Sequence, residues 1–259
     1  MVVLCKSRFR QISMTKEEYE KLVAEVNRLR NNLHLFNDET ISESALDDLK
    51  RKITAFEAVY PDLISPDSPN YTIAGGVAEK FEKFAHKRRM LSLNDIFTLE
   101  ELQAWENRWR DFYVKQYGVY PASWQTSLQY VIEPKVDGLA ISLHYEGGIL
   151  QRALTRGDGW VGELVTENVK QVADIPKQIP DLRKIEVRGE IFITKANFEE
   201  LNKQILEGKQ VGRFGKSGPE GVFANPRNAA SGTIRQLDSS VVAQRNLSFI
   251  AYGIWIDEN

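Results

Sequence analysis

The chain has 259 residues, enough for one large domain or a domain with a smaller appendage, and its 42% hydrophobic and 27% charged residues are those of an ordinary globular protein. Lysine plus arginine, 34, against aspartate plus glutamate, 36, leaves a formal charge of −2, so no global basic field advertises nucleic acid and any anionic partner must be met locally. Cys5 is the only cysteine, which excludes a disulfide framework and a cysteine-bearing zinc site, and no apolar run approaches the roughly 18 residues of a membrane span; a soluble, cytoplasmic protein with no membrane partner is expected.

Thr15-Lys16-Glu17-Glu18 reads as a capping box, after which Tyr19, Leu22, Val23, Val26, Leu29 and Leu33 recur at helical spacing to about Leu35. A polar break over Asn37–Thr40 precedes a second helical stripe, Leu46, Leu49, Ile53, Phe56 and Tyr60, which Pro61 ends. The pair predicts an antiparallel helical hairpin. The proline-rich run from Pro61 to Pro69 reads as a linker, and a domain boundary is placed there. Thr98-Leu99-Glu100-Glu101 is another capping box, opening a helix whose Leu99, Leu102, Trp105, Trp109 and Phe112 share one side and are expected to be core, a stacking platform for bases being the alternative.

From Gln129 the period changes from helix to strand. Tyr130-Val131-Ile132 leads into Glu133-Pro134-Lys135-Val136-Asp137-Gly138, which sets a lysine between two carboxylates at an expected strand end. Such a lysine is either a solvated surface charge or an amine held in a pocket, where its neutral form is a nucleophile. A hairpin follows: Leu139 to Tyr145 alternates, Gly147-Gly148 turns the chain, and Ile149 to Leu154 returns. His144 falls on the minor face and reads as a surface or packing residue. Arg156-Gly157-Asp158-Gly159 is a turn that lets backbone approach a ligand, with a helix expected from about Gly162.

A further strand, Ile185 to Ile193, puts Glu186, Arg188 and Glu190 on one face, which means solvent or a ligand pocket. Residues 207 to 221 carry five glycines with Lys209, Arg213 and Lys216, a basic loop suited to phosphate contact or to disorder. Phe223 to Gln236 is dense in small residues with Arg227 and Arg235 eight apart, requiring close packing or ligand approach, and Leu247 to Ile256 closes the chain as a strand.

In this order the motifs resemble the adenylation domain of the NAD-dependent DNA ligases, from Tyr19 to Gly253. The most specific are Glu133-Pro134-Lys135-Val136-Asp137-Gly138, Thr155-Arg156-Gly157-Asp158-Gly159, Glu186-Val187-Arg188-Gly189-Glu190 and Asn225-Pro226-Arg227-Asn228-Ala229-Ala230. The resemblance implies an α+β protein. A helical hairpin domain, 1–68, is followed over 69–259 by a nucleotidyltransferase domain with an ATP-grasp-like ligase fold, antiparallel sheets with interspersed helices. It also implies chemistry: Lys135 attacks the α-phosphorus of NAD, nicotinamide mononucleotide leaves, and AMP stays on the enzyme for sealing nicked double-stranded DNA. Arg156 and Mg2+ offset phosphate charge, Asp137 neighbours the nucleophile, and Glu190 faces the ribose or metal-linked waters, no protein side chain being assigned as a direct metal ligand. Glu133 and Tyr252 go to the adenine, Ser92 and Leu93 beside the nucleotide, and Arg227 and Arg235 to the DNA backbone.

The N-terminal hairpin resembles the small domain that selects NAD over ATP, with His34 and Asp47 at matching positions. Where that family has tyrosine, aspartate and tyrosine, this chain has Leu33, Glu43 and Leu46, which implies weaker stacking on the nicotinamide ring. The family continues beyond the last strand with an Asp-Gly-Val-Val-Ile-Lys type strand, an oligonucleotide-binding barrel, a zinc module and helix-hairpin-helix repeats, so the chain is expected to be C-terminally incomplete. A monomer is expected. Two other readings stay open: a degenerate nucleotide- or DNA-binding module without turnover, and an ATP-dependent ligase or capping enzyme.

Overall fold

In the computed structural model, residues 14–36, 41, 43–72, 81–93, 95–119, 121, 124, 130–213, 216 and 218–257 are described. The chain divides into two compact units, Met1–Met90 with Asp137–Asn259, and Leu91–Val136. Seven α-helices and two antiparallel sheets make the described residues an α+β fold, as the motifs implied.

The first unit begins with the helical hairpin. Helix α1 (Lys16–Phe36) starts on the expected capping box: the Glu18 amide donates to Thr15 Oγ1 at 3.2 Å and the Thr15 amide to Glu18 Oε2 at 2.7 Å. Helix α2 (Glu43–Val59) completes the pair, and Tyr19, Val23, Val26 and Leu29 form a buried cluster with Leu46, Ile53 and Phe56. The Tyr19 and Phe56 rings stack at 4.4 Å. The tyrosine hydroxyl donates to buried Glu57 at 2.7 Å and accepts from the Ser65 amide at 2.9 Å. Asn70 reaches the same carboxylate at 2.7 Å, and Asn27 donates to the Asp67 carbonyl at 2.7 Å. The proline-rich segment is thus bound back onto the hairpin. The expected break at Asn37–Thr40 lies outside the described residues.

The hairpin β2 (Leu139–Glu146) and β3 (Ile149–Thr155) forms as the alternation predicted. With β5 (Ile185–Phe192) and β6 (Ser248–Ile256) it makes a four-stranded antiparallel sheet, ordered β3-β2-β5-β6. One face carries Ile141, Leu143 and Tyr145 into a core shared with Val169 of α4 (Thr166–Val169), Leu201 and Ile205 of α5 (Lys195–Leu206), Ala229, Ala230 and Ile234 of α6 (Pro226–Ile234) and Val242 of α7 (Ser239–Ala243). The small residues of 223–236 therefore serve close packing. A two-stranded sheet pairs β1 (Lys83–Ala85) with β4 (Val161–Glu163). The helix expected from Gly162 is a correction: Gly162 pairs with Phe84 in that sheet, and the short helix waits until Thr166.

The described part of the glycine-rich loop is tied down. Gly212 donates to the Lys216 carbonyl at 2.7 Å, Gly218 to the Ile205 carbonyl at 2.8 Å, and buried Arg245 to the Val211 carbonyl.

In the second unit, α3 (Leu99–Tyr117) opens on its predicted capping box at Thr98. Its apolar side, however, is not core: no residue of α3 is buried, and Leu99 and Phe112 are 79% and 67% exposed. Its aromatics meet each other instead. Trp105 lies 6.5 Å from Trp109 and 6.0 Å from Tyr130, and Trp124 lies 4.9 Å from Tyr113. Helical spacing reports a shared side, whereas burial needs a second layer, and the described residues of this unit supply none.

Candidate active site

In the first unit the site grows from neighbouring ends of β2 and β5. A Cβ on Gly138 would lie 2.1 Å from the Ile191 carbonyl oxygen, so glycine is what lets the Asp137-Gly138 step press against β5. Across the ladder, Ala140 faces Glu190, Ser142 faces Arg188 and His144 faces Glu186, on the sheet face opposite Ile141 and Leu143. Asp137 Oδ1 accepts from Arg227 Nη1, a pair 90 residues apart in sequence.

The arginine turn follows β3. Gly157 has φ 56°, and a Cβ there would sit 1.8 Å from the Val161 carbonyl oxygen. Asp158 Oδ1 accepts from the Trp160 and Val161 amides, both at 2.8 Å, so this carboxylate builds the turn. The Arg156 amide donates to the Ala140 carbonyl at 3.1 Å, which fixes the turn to β2 at Glu190's ladder partner. Burial and then the neighbouring Arg227 lower the Arg156 pKa, with Glu190 and Tyr252 opposing and Arg235 adding to the effect.

Helix α6 presents the two arginines from its ends, about 12 Å apart along the axis at 1.5 Å per residue. Asn225 caps its start, accepting from the Asn228 amide at 2.8 Å, with Pro226 at the first position and Arg227 next. At the other end Asn168 donates to the carbonyls of Ile234 and Gln236 at 2.6 and 2.7 Å, and Arg235 Nε donates to Glu163 Oε2 at 3.0 Å. Glu163 is fully buried and also accepts from Thr155 Oγ1 at 3.1 Å. Sequence reading missed both Asn168 and Glu163. Glu163 stands before the apolar pair Leu164-Val165, a weak signal, whereas Asn168, between Thr166-Glu167 and Lys170, carries none.

Tyr252 reaches the cluster through a fault in the sheet. Arg188 pairs with Gly253 but Gly189 pairs with Ala251, so Tyr252 is the extra residue of a β-bulge, 54% exposed and within electrostatic reach of Glu190 and Arg156. The charged face of β5 is also not a solvent face. Glu186 and Arg188 are each 6% exposed and joined at 2.6 Å, while Ser142 donates to Glu186 at 2.9 Å and contacts His144 Nε2 at 2.9 Å. His144 is accordingly a packing residue.

Glu190 has the most informative titration. Burial pushes its carboxyl up to about 7 despite Arg227 and Arg156, with Asp137 adding to the rise. A raised acid gives stability that is complete below the unfolded value and lost as pH climbs through the folded one. From 4.5 to about 7, up to roughly 3 kcal/mol is therefore lost on going from pH 4 to pH 8. In Glu190→Gln this dependence is expected to vanish, so urea unfolding at the two pH values should show the variant gaining on the parent by about 2–3 kcal/mol at pH 8. Parallel pH profiles for the two proteins would refute that titration.

Ser92, Leu93, Glu133 and Lys135 belong to the second unit and are exposed. The strand expected before Lys135 is a correction: residues 130–137 have no regular structure, and Val131 and Ile132, 87% and 94% exposed, have no ladder partner among the described residues. Asp47 makes a 3.7 Å ion pair with Lys50 on α2, while the side chains of His34, Leu33 and Glu43 lie outside the described residues. Leu46 belongs to the hairpin core. Among the described residues no helix is long and apolar enough to cross a membrane, and no three His, Cys, Asp or Glu side chains gather for a metal.

A lysine-x-aspartate-glycine segment leads into an antiparallel sheet that also carries a glycine-bounded arginine turn and a two-arginine helix, the elements whose sequences resemble those of a nucleotidyltransferase domain. The family model for the NAD-dependent DNA ligase adenylation domain matches residues 78–259, and that for the DNA ligase-like, N-terminal NAD+-binding domain matches residues 12–74. The chain belongs to the NAD-dependent DNA ligase adenylation family. Its activity is the nucleotidyl-transfer step of a ligase, with NAD as AMP donor and DNA as the substrate class.

Proposed function

We propose that Lys135 is the residue that becomes adenylated. Its amine forms an N–P bond to the α-phosphorus of NAD, the P–O bond to the nicotinamide mononucleotide phosphate breaks, that phosphate leaves with the bond electrons, and the amine proton passes to solvent. Arg156 is the cation for phosphate charge, and Asp137, held by Arg227, neighbours the nucleophile in the chain. Glu190 faces the ribose. Glu133 and Tyr252 recognise adenine, Ser92 and Leu93 lie beside the nucleotide, and His34 and Asp47 take the mononucleotide half. Arg227 and Arg235 then meet the backbone of nicked double-stranded DNA. The division at residues 1–68 and 69–259 and a monomeric state complete the reading.

Mg2+ fits this donor set as a hydrated ion rather than in a protein cage, since Asp137 is engaged by Arg227 and no three His, Cys, Asp or Glu side chains gather among the described residues. When bound it would neutralise phosphate charge, with Glu190 and Asp137 the carboxylates for its waters.

The observation that carries the reading is the gathering of Arg156 and Arg227 around a half-buried Glu190, with Arg235 acting on Arg156, on elements that follow Lys-x-Asp-Gly in the chain. Intact mass after incubation with Mg2+ and NAD should show one AMP adduct, and ATP in place of NAD should give none. A chain that stays unmodified at high NAD, or that takes AMP from ATP alone, would contradict it.

A further inference from the structure

We infer that Arg188 is a positioning residue for adenylation, acting through a strap, residues 86–90, that it holds against the arginine turn. The inference rests on the proposed role of Arg156. The Arg188 guanidinium makes three hydrogen bonds. Its Nε donates to Glu186 at 2.6 Å, its Nη1 to the Arg89 carbonyl at 3.0 Å and its Nη2 to the Arg88 carbonyl at 2.5 Å, with the guanidinium 4.5 Å from the Trp255 ring centroid. This is a planar fork matched to two successive carbonyls, which a lysine ammonium cannot reproduce.

The other edge of the strap holds the turn. The His86 amide donates to the Trp160 carbonyl at 2.7 Å and the Met90 amide to the Gly159 carbonyl at 2.9 Å. His86 Nε2 lies 3.1 and 3.2 Å from the carbonyls of Thr155 and Arg156, and Arg89 stacks 5.1 Å from the Trp160 ring. The backbone on either side of Arg156 is therefore fixed by a segment whose own placement depends on Arg188. An outer brace, Arg88 and Lys87 on Asp257 at 3.3 and 2.5 Å, closes the strap against the end of β6.

The test is Arg188→Lys, which keeps the charge beside Glu186 and loses the fork. Two readouts are taken on the full chain. First, hydrogen exchange at the His86 and Met90 amides should quicken at least tenfold, and unchanged exchange would overturn the inference even if the protein never adenylates. Second, the single-turnover adenylation rate should fall about 10- to 100-fold with NAD affinity held within threefold, and the same substitution should cost less than threefold in an Arg156→Ala background. Equal losses in both backgrounds would make Arg188 merely structural. A parent that forms no adduct would instead fail the adenylation reading, leaving exchange to decide this one. If Arg188→Lys does not fold, Glu186→Gln, which releases the same guanidinium from its carboxylate, replaces it in both readouts.

Discussion

Replacing Lys135 by alanine is expected to abolish the AMP adduct, a loss of at least about 10^4-fold in the rate of NAD-dependent adenylation. The reaction needs a nitrogen that can form a bond to phosphorus and then shed a proton, and alanine offers neither. Lys135→Arg should fail as well, because a guanidinium stays protonated and its planar nitrogens are poor nucleophiles. The substitutions should leave the fold untouched, since Lys135 is exposed and lies in a segment without regular structure. Proteolysis of the parent adduct should place AMP on the peptide carrying Lys135. An adduct that persists in both variants, or that maps to another lysine, would remove Lys135 from the mechanism.

Arg156→Ala is expected to lower the single-turnover adenylation rate by about 10^2–10^3-fold, or about 3–4 kcal/mol of barrier, while NAD affinity changes by less than about tenfold. The asymmetry follows from where charge develops. The equatorial oxygens of the transferring phosphoryl group call for a fixed cation most strongly in the transition state, and a half-buried guanidinium on a braced turn needs little reorganisation. Arg156 also lowers the pKa of Glu190, so its removal should carry that carboxyl above its present value of about 7. The pH at which the parent loses stability relative to Glu190→Gln should then move upward in the Arg156→Ala background. Equal losses in rate and affinity, with no shift in that midpoint, would assign Arg156 to ground-state binding alone.

The legible parts of this fold are those whose cause lies within about ten residues of chain. The capping boxes at Thr15 and Thr98, the turn at Gly147-Gly148 and the strands β2, β3 and β5 carry their signals locally, and all appear in the structure. Where a local pattern was ambiguous, distant chain decided it. The charged face of β5 reads equally as solvent or pocket, and it is buried because residues 86–90, a hundred positions earlier, lie across Arg188. The side of α3 that reads as core stays exposed. Gly162 looked like the start of a helix until β1 supplied a partner strand.

The sequence by itself determined the order of the motifs, the residue types that can carry nucleotidyl transfer, and the helical hairpin in front of them, because side-chain chemistry and short-range periodicity are properties of the chain. Only the tertiary structure decided how the charges are paired. Asp137 finds Arg227 across 90 residues, Arg235 finds buried Glu163, and a single bulged residue brings Tyr252 beside Glu190. Burial is what gives Glu190 its raised pKa, and burial is a sum over every segment that packs against a group rather than a property of any one of them.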